Sequence, residues 1–316
     1  MLVSVVLATY NGEKYIREQL DSILSQTISD FELVVCDDCS SDNTFSIICD
    51  YSKLDTRIKV FQNTKNLGFL KNFEKAFALC SGDYIACCDQ DDVWTSNHLE
   101  ILLNHIEKND CVGANSILVD DNLKSLGRTH QQSLRIVSLP NTNKKLLEYE
   151  CHFNMIQGSA CLFKRELLKS ILPFPEGIEF HDHWIALNAS VQNGCKYIPD
   201  VILKYRIHSQ NVTEHKTFQL NIFFQTKRKI AIHRSRIYTS RITMLQALLS
   251  KNQDTTNREI LSKANNFILN LKNNNSRFKA TAYFVMNYPS ITLCPRTKWV
   301  LFLYRSLCVF FFGIML

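Results

Sequence analysis

The chain has 316 residues, 46% of them hydrophobic and 21% charged, with nine Gly and no low-complexity run; this argues against extensive disorder and fits one large domain plus an appendage. The net charge of +6 is unevenly spread: residues 1–215 hold 20 Lys+Arg and 28 Asp+Glu, whereas residues 216–316 hold 16 Lys+Arg against only Asp254 and Glu259. The two parts should therefore meet different partners, and the basic part suits nucleic acid or an anionic membrane.

The β-branched run LVSVVLAT (2–9) reads as a buried strand, followed by the polar turn YNGEK. Ile16, Leu20, Ile23 and Leu24 then recur at helical spacing. FELVVC (31–36) is a second strand ending at Asp37 and Asp38, and Ser40, Ser41 and Asp42 suit the start of a helix carrying Phe45, Ile48 and Tyr51. IKVF (58–61) is a third strand and NLGF (66–69) a turn; Phe73, Ala76, Phe77 and Cys80 mark another helix. YIACC (84–88) is a fourth strand, and Leu99, Leu102, Leu103 and Ile106 a helix after it. This alternation predicts an α/β domain with a mostly parallel sheet covered on both faces.

After residue 110 the pattern loosens. CVGANSILVDD reads as a strand and turn, residues 128–150 are polar and uninformative, and GSACLFKRELL (158–168) is a strand running into a helix. EFHDHWIALNASVQNG (179–194) reads as a polar start and an amphipathic helix, and CKYIPDVILKYRIHSQN (195–211) as a strand ending in a basic cluster. QTKRKIAIHRSRIYTSR has the periodicity of a cationic amphipathic helix, which suits a membrane surface. The apolar tail WVLFLYRSLCVFFFGIML is broken by Arg305, and the eleven residues that follow are fewer than the ~20 a spanning helix needs. It is expected to lie at an interface or pack on the protein.

Twelve cysteines are scattered along the chain, and the opening MLVSVVLATYNG has no basic leader or small-residue cleavage site, so a reducing cytosol with free thiols is the expected setting. Cys36 and Cys39 form a C-x-x-C with two aspartates inside it and no companion pair, a poor zinc or redox motif. His181 and His183 are too close for the usual zinc spacing.

The polar clusters fall where strands end: Thr9–Gly12, Asp37–Asp38 and Asp89–Asp92. In open α/β sheets, ligands bind outside the carboxyl ends of strands. Asp89 and Asp91 form a D-x-D whose oxygens suit Mg2+ or Mn2+ bridging phosphates, the alternative being a solvated acidic turn. Asp92 reads as a turn or capping residue. Asp38 is placed either to accept a hydrogen bond from a nucleotide or to cap a helix. Asp182 is a helix cap or a general base. Arg206 and His208 are phosphate or metal contacts, or surface residues.

In this order the pieces resemble an inverting family 2 glycosyltransferase of the GT-A fold. The matching stretches are VSVVLATYNGEKYIREQLDSILSQT, FELVVCDDCSSDNT, NLGFLKNFEKAF, GDYIACCDQDDVW, GSACLFKRELL, HDHWIALNAS and YRIHSQNVT, spanning about residues 3–213. The last two are similar to bacterial rhamnosyltransferase-like enzymes of surface polysaccharide synthesis. The resemblance implies a Rossmann-like catalytic domain over 1–215; it does not extend to residues 216–316, which their charge and apolar pattern mark as a basic, mostly helical, membrane-associating region. It implies that Thr9, Tyr10, Asn11, Asp38, Asp89 and Arg206 bind the nucleotide sugar. Asp91, with Asp89 and His208, would hold Mg2+ or Mn2+, and Asp182 would be the catalytic base. Gly158, His183 and Trp184 would line the acceptor side. Cys39 stands where the family usually has glycine, and His183 where many members have an aromatic. No Q-x-x-R-W is present, which favours one sugar per visit. The expected enzyme acts from the cytoplasm, peripheral on the inner membrane face, on a glycan or lipid-linked glycan. The rival is a catalytically silent membrane-bound scaffold that binds a nucleotide sugar. Nucleic acid is not an expected partner, for want of a recognisable module.

Overall fold

The structure is a computed structural model that describes residues 2–209, 211, 227–272, 277–292 and 306. In chain order its elements are β1 (Val3–Thr9), α1 (Ile16–Leu24), β2 (Phe31–Asp37), α2 (Thr44–Leu54), β3 (Ile58–Gln62), α3 (Phe69–Ala78), β4 (Tyr84–Cys88), β5 (Val93–Trp94), α4 (His98–Ile106), β6 (Cys111–Val119), β7 (Ser125–Thr129), α5 (His130–Ser133), α6 (Asn143–Glu150), β8 (Cys161–Lys164), α7 (Leu168–Ile171), α8 (His181–Val191), β9 (Cys195–Arg206), α9 (Lys227–Lys251), α10 (Thr255–Lys272) and α11 (Arg277–Thr292). The chain divides into two compact units. One comprises Met1–Ser133, Ile156–Phe174 and Phe180–His208; the other comprises Leu134–Met155, Pro175–Glu179 and Ser209–Leu316.

The first unit is built on one nine-stranded sheet in the order β3-β2-β1-β4-β8-β6-β9-β5, with β7 paired to β6. β1 is parallel to β2 and β4, β2 to β3, and β6 to β9. β8 lies antiparallel between β4 and β6, which returns β6 and β9 to the direction of β1. Six strands thus deliver their carboxyl ends to one edge: Thr9, Asp37, Gln62, Cys88, Val119 and Arg206. The β-branched interiors of β1 and β2 are fully enclosed, as a sheet covered on both faces requires.

The helical periodicities become packing faces. Ile16, Leu20 and Ile23 of α1, Ile47 and Ile48 of α2, and Leu99, Leu102 and Ile106 of α4 join Val3, Val5, Leu33, Ala86 and Leu162 of the sheet in one core. α8 differs from the amphipathic expectation, because nine of its residues, His181 and His183–Ser190, are buried. It packs on α7, β6 and β9, and its polar Asn188 hides by donating to the Trp184 carbonyl at 2.8 Å within the helix. The polar stretch 128–150 contains α6, which is capped by the Thr142 hydroxyl accepting from Lys145 N at 3.3 Å.

The second unit is helical. α9 carries the basic stretch, and in its described part Tyr238, Ile242, Leu245 and Leu248 are buried at helical spacing, with α9 packed on α10. No described helix is long and apolar enough to cross a membrane. The apolar tail 299–316 lies outside the described residues except for Ser306.

Candidate active site

Three turns at the carboxyl edge are woven together by side chains. Thr9 is buried, and its hydroxyl donates to Asp37 Oδ1 at 3.0 Å. Asn11 takes a left-handed backbone, φ 49°; its N–H donates to Ser40 Oγ at 2.9 Å and its side-chain oxygen accepts from Ser41 N at 2.8 Å. Cys39 is also left-handed, φ 63°, the conformation that glycine adopts at least cost and that explains the family's usual residue there. Tyr10 is 48% exposed. Its N–H and carbonyl are both held by the Gln90 amide, at 2.9 and 3.1 Å.

Two residues expected on the nucleotide side carry partners within the protein. The Thr9 hydroxyl is engaged by Asp37. The Asp38 carboxylate is turned inward onto the turn before α3, where it accepts from Asn63 Nδ2, Leu67 N and Gly68 N, each at 2.8 Å. Its geometry is that of a brace for the 66–68 turn.

Beyond β4, Asp91 and His208 meet. The imidazole Nε2 lies 2.8 Å from Asp91 Oδ2, across 117 positions of sequence, and the ring stacks on Tyr15 with centroids 4.8 Å apart. Asp89 is partly buried. Burial, then the charge of Asp91, then that of Asp182 raise its carboxyl to about 7, while the Ser159 hydroxyl pulls the other way. Asp92 is fully buried, its Oδ1 accepting from Arg206 N at 3.0 Å; burial, then Asp91 and Asp89, push its carboxyl well above the usual range. It is a core acid rather than a cap.

Arg206, expected near the diphosphate, is also engaged within the protein. It is 1% exposed, and its guanidinium is engaged by the Asp91 carbonyl at 2.8 Å, by the Asp121 carbonyl and by Glu18. It also lies 4.6 Å over the Tyr15 ring. Its planar fork is directed at these acceptors, which ties it to the D-x-D backbone.

Asp182 opens α8. Its Oδ2 accepts from Gly158 N at 3.0 Å and its Oδ1 from His183 N at 2.6 Å, so two backbone N–H groups and the positive end of a helix hold the carboxylate. A Cβ on Gly158 would lie 3.2 Å from His181 Nε2 and 3.5 Å from Asp182 Cβ, so glycine allows this approach. Trp184, expected on the acceptor side, is instead fully buried, with its indole N–H donating to the Ile171 carbonyl at 2.9 Å. His183 is buried too, at 5%.

The structure thus gathers Asp89, Asp91, His208, Asp182 and Gly158 at one edge, with Tyr10 and Asn11 beside them, while the side chains of Thr9, Asp38, Arg206 and Trp184 have hydrogen-bond partners within the protein. Gln90, Tyr15 and Ser159 escaped sequence reasoning. Gln90 had the one visible signal, its place inside the D-x-D. Among the described residues no group of three or more His, Cys, Asp or Glu side chains is arranged to hold a metal unaided. The pair Asp91–His208, with Asp89 alongside, is the kind of partial oxygen and nitrogen donor set that Mg2+ or Mn2+ completes with water and phosphate oxygens.

Residues 4–172 match the family described as Glycosyl transferase family 2. An uncharacterised glycosyltransferase of Haemophilus influenzae is 28% identical over 247 residues, covering 76% of this chain and 75% of its own length. The Escherichia coli UDP-Glc:alpha-D-GlcNAc-diphosphoundecaprenol beta-1,3-glucosyltransferase WfgD is 40% identical over 108 residues, 34% of this chain and 42% of its own. Among solved structures, S. aureus TarS 1-349 in complex with UDP-GlcNAc superposes with a TM-score of 0.62 at 21% identity, over 98% of this chain and 81% of that one. The family match spans more than half of the sequence and includes the turns carrying Tyr10, Asn11, Asp89, Asp91 and Gly158, so the chain belongs to glycosyl transferase family 2 and has the GT-A fold.

Proposed function

We propose that the chain is a metal-dependent inverting glycosyltransferase that moves one sugar per visit from a nucleoside-diphosphate sugar to a lipid-linked glycan of cell-surface polysaccharide, with rhamnose the first candidate sugar. The observation that carries this reading is the meeting of Asp91 with His208 at 2.8 Å, beside an Asp89 whose carboxyl feels both Asp91 and Asp182. Asp91 and His208, with Asp89, would hold Mg2+ or Mn2+; when bound, that ion supplies positive charge to the leaving diphosphate. Tyr10 and Asn11 line the nucleotide side. Asp182, fixed by Gly158 N and its own helix turn, accepts the proton of the acceptor hydroxyl as it attacks, and a single displacement inverts the anomeric centre.

A polyprenyl-diphosphate-linked acceptor is supported by the name of the E. coli relative. The excess of Lys and Arg over residues 216–316 supports peripheral contact with the anionic inner face of the cell membrane, on the cytoplasmic side. Those residues would form a membrane-associating region beside the catalytic domain. Asp182→Asn should reduce transfer by roughly 100-fold or more while nucleotide and Mn2+ binding stay near wild type; a folded Asp182→Asn protein with full transfer would refute the assignment. A panel of nucleotide sugars, scored by metal-dependent hydrolysis, identifies the donor.

A further inference from the structure

We infer that Gln90 is a positioning residue that ties the Tyr10 backbone to the D-x-D and thereby sets nucleotide affinity; the inference rests on the nucleotide-sugar reading above. Its amide matches a backbone residue on both sides: Oε1 accepts from Tyr10 N at 2.9 Å and Nε2 donates to Tyr10 O at 3.1 Å. This is what a neighbouring strand would provide, supplied where β1 has ended at Thr9. The other supports of the same loop come from the opposite side, Asn11 N to Ser40 Oγ at 2.9 Å and Gly12 N to Thr44 Oγ1 at 2.7 Å. Gln90 is therefore the support on the D-x-D side, and its covalent neighbours are Asp89 and Asp91. A displacement of the loop that lines the nucleotide and a displacement of the carboxylates are coupled through one side chain.

Gly12 provides an independent handle on this clamp. A Cβ there would stand 2.5 Å from Gln90 Cδ and 3.0 Å from Nε2. The obstructing atoms are the far end of a flexible side chain, so Gly12→Ala expels the amide from Tyr10 and leaves the loop backbone in place. Gln90→Ala breaks the same two hydrogen bonds by deletion, and in its background Gly12→Ala meets no amide. The two substitutions should be strongly non-additive, a signature that unrelated losses of local order do not produce.

The test is calorimetric titration of the full chain with Mn2+ plus UDP, dTDP or GDP, using the nucleotide that wild type binds most tightly. Each single variant should weaken that nucleotide roughly tenfold, the scale of one to two lost hydrogen bonds. The double variant should be no more than about twofold weaker than either single. Thermal unfolding of each variant verifies that it is folded. Unchanged affinity in Gln90→Ala, or losses that multiply in the double variant, overturns the inference alone. Failure of wild type to bind any of the three nucleotides overturns the nucleotide-sugar reading and this inference with it.

Discussion

Acidification from pH 8 to pH 5 should cost the fold about 2 kcal/mol through His98 alone. The side chain is fully buried and stacked on Trp94 with centroids 3.7 Å apart. Its Nδ1 lies 3.0 Å from the Ile202 carbonyl, so the neutral ring donates there, and Nε2 has no partner among the described residues. A second proton would leave a buried charge without an acceptor, and burial pushes the folded pKa down to about 3. The unfolded chain, with its imidazole near 6.5, takes the proton first. The stabilisation is therefore complete above about pH 6.5 and is lost as the pH falls towards 3, at about 1.36 kcal/mol per unit, which gives about 2 kcal/mol at pH 5. Urea unfolding of wild type and His98→Gln, followed from pH 8 to pH 5, measures it. The variant can still donate an amide N–H but cannot titrate, so its stability should decline less steeply by that amount. His152 and His181, also lowered to about 3 by burial, act in both proteins and cancel in the difference. Parallel curves would refute the reasoning.

Trp184→Phe removes the indole bond to Ile171 and should lower stability by about 1–3 kcal/mol, with the transfer rate of the folded protein unchanged; a raised acceptor KM at unaltered stability would return Trp184 to the acceptor side. Arg206→Lys cannot reproduce the fork onto Glu18 and the Asp91 and Asp121 carbonyls and should cost roughly 2 kcal/mol or more of stability. Loss of nucleotide affinity in a variant as stable as wild type would show that Arg206 serves the diphosphate instead.

The strands β1 to β4 and the helices between them were legible because both of their signals are local: β-branched runs for enclosed strands and apolar residues at helical spacing for the helices. The D-x-D was visible from its place at a strand end, whereas Asp182 and His208 were open to structural readings and gained site roles only through the family resemblance. What the sequence does not display is which polar group is already satisfied. Thr9, Asp38 and Arg206 carry the same chemistry as ligand contacts, yet their partners are Asp37, a turn thirty positions on, and backbone carbonyls of distant loops. Trp184 looks like a platform for a sugar until its indole finds Ile171. The burial of α8 is masked by Asn188, whose polarity is absorbed within its own helix.

The order of strands also governs how the molecule is made. β9 is the last strand of the sheet in sequence, yet it is inserted between β6 and β5, and β5 pairs with it alone. On the ribosome, β1 to β4 emerge in succession and can pair with one another, whereas β5 must wait about a hundred residues for the strand that receives it. Arg206 and His208 arrive on that same strand end. A nascent chain therefore holds the turns after β1 and β2 before it holds the Asp91–His208 pair. The pair proposed to hold the metal is thus completed only when the last strand joins the sheet.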